Sequence, residues 1–444
     1  MTKFDFLKKF FLFSVIVSIF FFSRFFISNI FAIDLNGANF GYHTLHPDLL
    51  QNDLIQSLLY QHSQPFFWSL YAGVLLKITN GNYELINSIF LFINNLLSIG
   101  IILYAFLISK FFKLSINQSI FLLIVLIFNP SIFFYENIFS YHQLTAFLFT
   151  QACYLIFIFF DTKKSKYEML LYLNLAFLGF VWAAFQPLLI IVIFFIIRIA
   201  TKIQFKKNLT IFSMIILISF VPHIKNKIIF GSFTSSSWSG HGFSTVFNPE
   251  WLNFCGHPLE KQSFYKNKYE NKFNRTFDHP SLVGDKALFN NIGLVYKSGK
   301  CFSLTLQKII NNPNPYLISR ITSILASHGK FAFDFEPKPK GWKINFYDDF
   351  LDKEGNKFYR QIILLFLNLI IYLTMVYMIF FSNYNQKLKS SLLIIAALYS
   401  YLFIISFTFS CCEQERMLYT GYIKEIFFLI FLIQIGNKKK LASG

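Results

Sequence analysis

Between His46 and Pro65 the chain reads HPDLLQNDLIQSLLYQHSQP. Two carboxylates, Asp48 and Asp53, and two imidazoles, His46 and His62, fall within these twenty positions. Such groups move protons near neutral pH. Pro47 suits the first position of a helix. Leu50, Leu54 and Leu58 recur every four residues beside Ile55 and Leu59, and Asp48, Asn52, Asp53, Gln56 and Ser57 form the other side. The spacing predicts one amphipathic helix over 48–60, lying on a membrane surface. It must stop by Gln64, because Pro65 disfavours helical backbone in the residue before it. Asp48 sits in the first turn, where the helix dipole favours a carboxylate. Asp53 is expected mid-helix, either on a solvated face or at work.

Other ionisable groups stand near apolar runs. Arg24 lies in the outer half of the first run, where an arginine snorkels or faces a polar cavity; snorkelling is the expectation. Tyr135-Glu136-Asn137 follows Asn129-Pro130. Lys225 and Lys227 are expected to snorkel to lipid head groups. Glu413 and Arg416 are spaced to pair at i,i+3. Lys424-Glu425 lies deeper in the last run, as a buried pair or as the lining of a site. His43 and His46 are spaced i,i+3 with His62 further on, but nothing fixes a third and fourth ligand in firm geometry, so neither a metal nor a cofactor is expected. Cys255 and Cys301 fall in one polar region and are disulfide candidates in an oxidising compartment. Cys411 and Cys412, adjacent and near the membrane, are expected to be free thiols, and Cys153 falls within the fourth span.

The elements that must position these groups are membrane helices. Of 444 residues, 55% are hydrophobic and only 14% charged, about half the charge of an ordinary soluble domain. Runs of about twenty apolar residues recur, enough to cross a bilayer. The net charge of +18 gathers at the ends of these runs, which is the positive-inside pattern rather than a nucleic-acid surface. The fold class expected is an all-α polytopic membrane protein of roughly ten transmembrane helices with a small outer-face domain. The spans fall near 10–33, 84–109, 118–134, 142–160, two within 167–199, 209–222, 358–381, 391–409 and 417–435. Phe66 to Ile78 is too short to cross and reads as interfacial or re-entrant. Residues 1–222 form an N-terminal membrane domain whose first outer loop is 34–82. Residues 223–356 form an outer domain or long loop, and 357–444 return to the membrane. Both termini then lie inside, with Lys163, Lys164 and Lys166 cytoplasmic.

An Asp-bearing helix after the first span, then His62-Ser63-Gln64-Pro65 and Phe66-Phe67-Trp68, resembles the first outer loop of GT-C glycosyltransferases. Protein O-mannosyltransferases and lipid A aminoarabinose transferases belong to that superfamily, and the likeness is closer to a bacterial branch with an H-x-Q-P-P loop. Asn129-Pro130 with Tyr135-Glu136-Asn137, Lys225-Asn226 with Phe230-Gly231, Ser236-Ser237-Trp238 with Gly240, and Glu413 with Arg416 are similar to the same branch. Two departures stand out. Phe66 replaces the second proline, and the Asp-Glu pair of better-known relatives is absent.

The resemblance implies transfer of a sugar from a polyprenyl-phosphate donor to a hydroxyl of a lipid, glycan or protein acceptor. The reaction takes place at the outer, periplasmic face of a bacterial cytoplasmic membrane. A hydroxyl needs a carboxylate as general base. Asp53 is the leading candidate and Asp48 the runner-up, and a single base without a covalent intermediate implies inversion. The leaving lipid phosphate needs cations or donors beside it. Arg416, whose planar fork suits phosphate oxygens, leads, with His62, Gln64 and Lys424. Tyr135, Glu136 and Glu413 complete the candidate set. Two rivals are a lipid-linked saccharide transporter, which needs charges along a path between both faces, and a membrane O-acyltransferase, which needs a histidine reached from the cytoplasm.

Overall fold

The computed structural model describes residues 14–26, 44–202, 208–244, 290, 292–328, 354–409, 419–420 and 423–442. Among them every regular element is a helix. After α1 (Ser14–Phe26) come α2 (Pro47–Asn52), α3 (Leu54–Tyr60) and α4 (Phe67–Ile78). The helices that follow are α5 (Tyr83–Phe111), α6 (Ile116–Ile127), α8 (His142–Thr162), α9 (Ser165–Val181) and α10 (Pro187–Thr201), with the short α7 (Pro130–Glu136) after α6. Next come α11 (Leu209–Ser219), α12 (Val221–Phe230), α13 (Trp238–Ser244), α14 (Ile292–Asn311) and α15 (Pro313–His328). The last three are α16 (Glu354–Phe380), α17 (Gln386–Phe409) and α18 (Ile423–Ala442).

Four of the described helices are long and apolar enough to cross a bilayer: Tyr83–Phe111, His142–Thr162, Ile362–Phe380 within α16 and Gln386–Ile405 within α17. α11 and α12, bent by 41°, make a fifth if they form one crossing. The protein is an all-α membrane protein. α8 is its centre, packed against α5, α9 and α17. Its residues are mostly apolar on every side, as a helix enclosed by others requires, and its buried Gln143 is hydrogen-bonded to Ser98 and Tyr419. By contrast α16 leaves Ile363, Phe366 and Leu373 exposed.

Four expectations are corrected. The segment 48–60 is two helices, not one: Asp53, at φ −131° and ψ 52°, ends α2 and begins α3. The break turns the second half over, so Ser57 is buried and donates to the Leu49 carbonyl, whereas Ile55 is 85% exposed. The span 118–134 is also broken. Asn129 accepts from the backbone N–H groups of Ser131 and Ile132, and α7 starts at Pro130 as a new helix. A side-chain cap and a proline together restart the backbone, as they do at any helix N-terminus. The span 209–222 continues past its expected end into α12, where Pro222 accounts for the bend.

The fourth correction is Arg24. It does not snorkel. Its Nε and Nη2 each reach a carboxylate oxygen of Glu136 at 2.7 Å, and Nη1 donates to the Ile127 carbonyl at 2.5 Å. Both residues are buried. Paying desolvation for two charges requires this bidentate geometry and a further acceptor. At the other end of the bundle, Arg198 bonds Glu168, which also accepts from Tyr172 and Asn208. No motif pointed to that pair, since the two residues lie on separate helices thirty residues apart.

Candidate functional site

The loop after α3 is held from all sides. Asn290 accepts from the backbone N–H of His62 at 2.9 Å and of Ser63 at 3.2 Å, and its amide donates to the Tyr60 carbonyl at 3.1 Å. The Ser237 N–H donates to the His62 carbonyl at 2.9 Å, and its hydroxyl meets His62 Nδ1 at 2.8 Å. Ser236 donates to the Ser63 carbonyl. Lys225 Nζ donates to the carbonyls of Gln61 and of Leu58, the latter at 3.3 Å. The Phe230 ring meets the His62 ring edge-on at 5.0 Å. The pieces that are far apart in the chain therefore converge: His62-Ser63, Lys225, Phe230 and Ser236-Ser237 form one assembly. The expected snorkelling of Lys225 is overturned, since its ammonium turns inward to the carbonyls of this loop.

Local rules explain the scaffold. Gly231 ends α12 at φ +75°, a left-handed geometry that glycine takes without strain. Asn226 then donates to the Thr234 carbonyl at 2.7 Å and closes the turn toward Ser236. α13 lies against α14 so closely that a Cβ on Gly240 would meet the Ser298 carbonyl oxygen at 1.9 Å. That approach leads the backbone of α13 to the region from which Asn290 reaches the loop.

Burial changes the chemistry of His62. Its pKa falls from 6.5 to about 3, chiefly because burial penalises the charged ring and also because Lys225 is positive nearby. It is a neutral ring with no useful basicity, so it orients rather than transfers protons. Between Gln61 and Tyr71 the protein leaves buried polar atoms unmatched: both side-chain atoms of Gln61, the Ser63 hydroxyl, Gln64 Oε1, Trp68 Nε1 and the Tyr71 hydroxyl. Trp68 and Tyr71 stack at 5.1 Å, and Phe139 packs on both. Amides, hydroxyls and an indole N–H beside stacked aromatic faces suit a neutral polyhydroxylated molecule.

Nearby, Gln186 links several elements. Its side chain meets His223 Nε2 at 2.7 Å and donates to the Ser235 hydroxyl at 3.1 Å, and its backbone N–H donates to the Tyr401 hydroxyl at 3.1 Å. Neither Gln186 nor Asn290 carried a local sequence signal for this role.

The remaining candidates are placed as follows. Asp53 is exposed at the helix break and makes no capping hydrogen bond. Asp48 is exposed in the first turn of α2, with its carboxylate 3.5 Å from His46 Nδ1. Glu136 is taken by Arg24, and Tyr135 stacks on Tyr419 at 3.9 Å. Tyr419 donates to Gln143, whose amide reaches Ser98 at 2.6 Å. Lys424 and Glu425 go separate ways: Lys424 Nζ donates to Asn368 at 2.9 Å, and the Asn129 side chain bonds Glu425. Glu413, Arg416, His43 and Cys255 lie outside the described residues, while Cys301 is disulfide-bonded and Cys153 is a free, buried thiol. Among the described residues no three His, Cys, Asp or Glu side chains gather as a metal site would require.

No protein-family model, curated protein or solved structure matches the chain.

Proposed function

We propose that this chain is a GT-C-type integral membrane glycosyltransferase, moving a sugar from a polyprenyl-phosphate carrier to a hydroxyl acceptor at the outer face of a bacterial cytoplasmic membrane. The observation that carries the reading is the clamped loop 60–65, with the unmatched polar atoms of Gln61, Ser63 and Gln64 beside Trp68 and Tyr71. Three of the segments that resemble the GT-C branch meet there: His62-Ser63, Lys225 with Phe230, and Ser236-Ser237.

In this reading an aspartate takes the proton of the acceptor hydroxyl as its oxygen attacks the anomeric carbon. The bond from that carbon to the lipid phosphate breaks, the configuration inverts, and the phosphate leaves with the bonding electrons. Asp53 is the first choice of base because it stands at a helix break with no capping duty, and Asp48 is second. Arg416, with Lys424, Gln64 and His62, is assigned to the donor, and Lys424 is supported by its burial beside Asn368. The ten-span arrangement belongs to the same proposal, with 223–356 outside as an outer domain. The disulfide at Cys301 favours that side, since such bonds persist in oxidising compartments.

The test is to incubate the purified protein with a panel of polyprenyl-phosphate sugars and to measure released polyprenyl phosphate. Release with one sugar, dependent on acceptor, is expected. Movement of labelled lipid between leaflets without release would replace the enzyme by a transporter. Alkaline phosphatase activity from a fusion at Ser165 would overturn the topology.

A further inference from the structure

The region after α12 reads as polar and extramembranous, yet α14 has three sides rather than two. At 100° per residue, Leu294, Lys297, Ser298, Cys301 and Thr305 fall in one arc of about 100°, and all are buried against protein. Phe302, Leu306 and Ile310 occupy the next arc, of about 80° by the same geometry, and are exposed, Ile310 by 71%. Ser303, Gln307, Lys300 and Asn311 fill a third arc, exposed and polar. A helix on a water-bathed domain needs only a buried side and a polar side. The third, apolar and uncovered side calls for a separate apolar surrounding.

The neighbouring helix extends the same feature. α15 follows after Asn312 and exposes Leu317, Ile318 and Ile321, with Ile318 at 64%. It packs on α16 and α17, two helices long and apolar enough to cross the bilayer. α16 exposes its own Ile363, Phe366 and Leu373. The uncovered apolar surface of α15 is thus carried by an element seated on membrane-crossing helices.

We propose that α14 and α15 form an in-plane membrane hairpin, with Phe302, Leu306, Ile310, Leu317, Ile318 and Ile321 set in the hydrocarbon of the adjoining leaflet. The occupant of the stripe is lipid acyl chain. The polar arc of α14, with Lys300, faces water and head groups, as in other interfacial helices. Asn290, two residues before α14, holds the backbone of His62 and Ser63. The hairpin therefore ties the clamped loop to the depth of the membrane surface, where any substrate with a lipid tail must present its head. This inference rests on membrane residence and not on the proposed reaction.

The experiment is site-specific photo-crosslinking in the full chain within native membranes containing radiolabelled phospholipid. A benzophenone amino acid is placed singly at Leu306, Ile310 and Ile318, and at Ser303 and Gln307 for comparison; all five side chains are exposed. Several-fold more lipid adduct at the three apolar positions is the expected result. Equal labelling at Ser303 and Gln307 would overturn the proposal. So would adducts at Leu306 and Ile318 dominated by a second copy of the chain or by another protein.

Discussion

Arg24 and Glu136 meet through two parallel N–H···O bonds, each 2.7 Å, although 112 residues separate them. The pair fixes α1 to the end of α7, and Asn94 adds a third element by donating to the Glu136 carbonyl at 2.9 Å. Removing one partner leaves an uncompensated buried charge. Glu136→Ala should therefore destabilise the protein by about 3–5 kcal/mol. The double variant Arg24→Met, Glu136→Leu should recover most of that loss, because the desolvation cost disappears with the charges. Thermal unfolding in detergent or nanodiscs, across the full mutant cycle, measures it. Additive losses would show that the two side chains act independently.

His62 gives the stability a defined pH dependence. Its folded pKa is lowered from 6.5 to about 3. Between those values the unfolded chain holds a proton that the folded chain does not, so stability rises with pH. The contribution is fully present above pH 6.5 and is lost as pH falls toward 3, at about 1.4 kcal/mol per pH unit. His62→Gln removes the titrating group and should flatten the slope of denaturant midpoint against pH in that window. An unchanged slope would mean that His62 becomes solvated before global unfolding.

The contact of α13 with α14 leaves no room at Gly240. Gly240→Ala places a methyl group against the Ser298 carbonyl oxygen and should cost about 1–3 kcal/mol by overpacking. Ser298→Gly should not rescue it, because the obstructing atom is backbone. Since this contact supports Ser236 and Ser237, protease cleavage near the loop at 60–65 should rise together with the loss of melting temperature.

For the proposed reaction, Asp53→Asn keeps shape and removes the basic oxygen. Turnover should fall by about 10²–10⁴ if it is the general base. Donor affinity should change little. Asp48→Asn, measured in parallel, should retain most activity. A large loss confined to Asp48→Asn reverses the assignment, and near-normal turnover in both removes this loop's carboxylates from the chemistry.

The sequence by itself determined that the chain is helical and lives in a membrane, because apolar runs of bilayer length and lysines at their ends leave little else. It also marked a helix boundary where the chain acts locally: Pro65 requires a stop by Gln64, and α3 ends at Tyr60. The positions that resemble GT-C loops were legible too, as separate fragments. Only the tertiary structure decided how they meet. The turn at Asp53 reverses the apolar and polar sides that an unbroken helix assigns to Ile55 and Ser57, and periodicity carries no signal for a break between two good helical segments. Arg24, Lys225 and Asn290 find partners 112, 164 and 228 residues away. A buried cation or amide is settled by whichever acceptors the packed helices bring within hydrogen-bond reach, and hydropathy along the chain does not encode that distance.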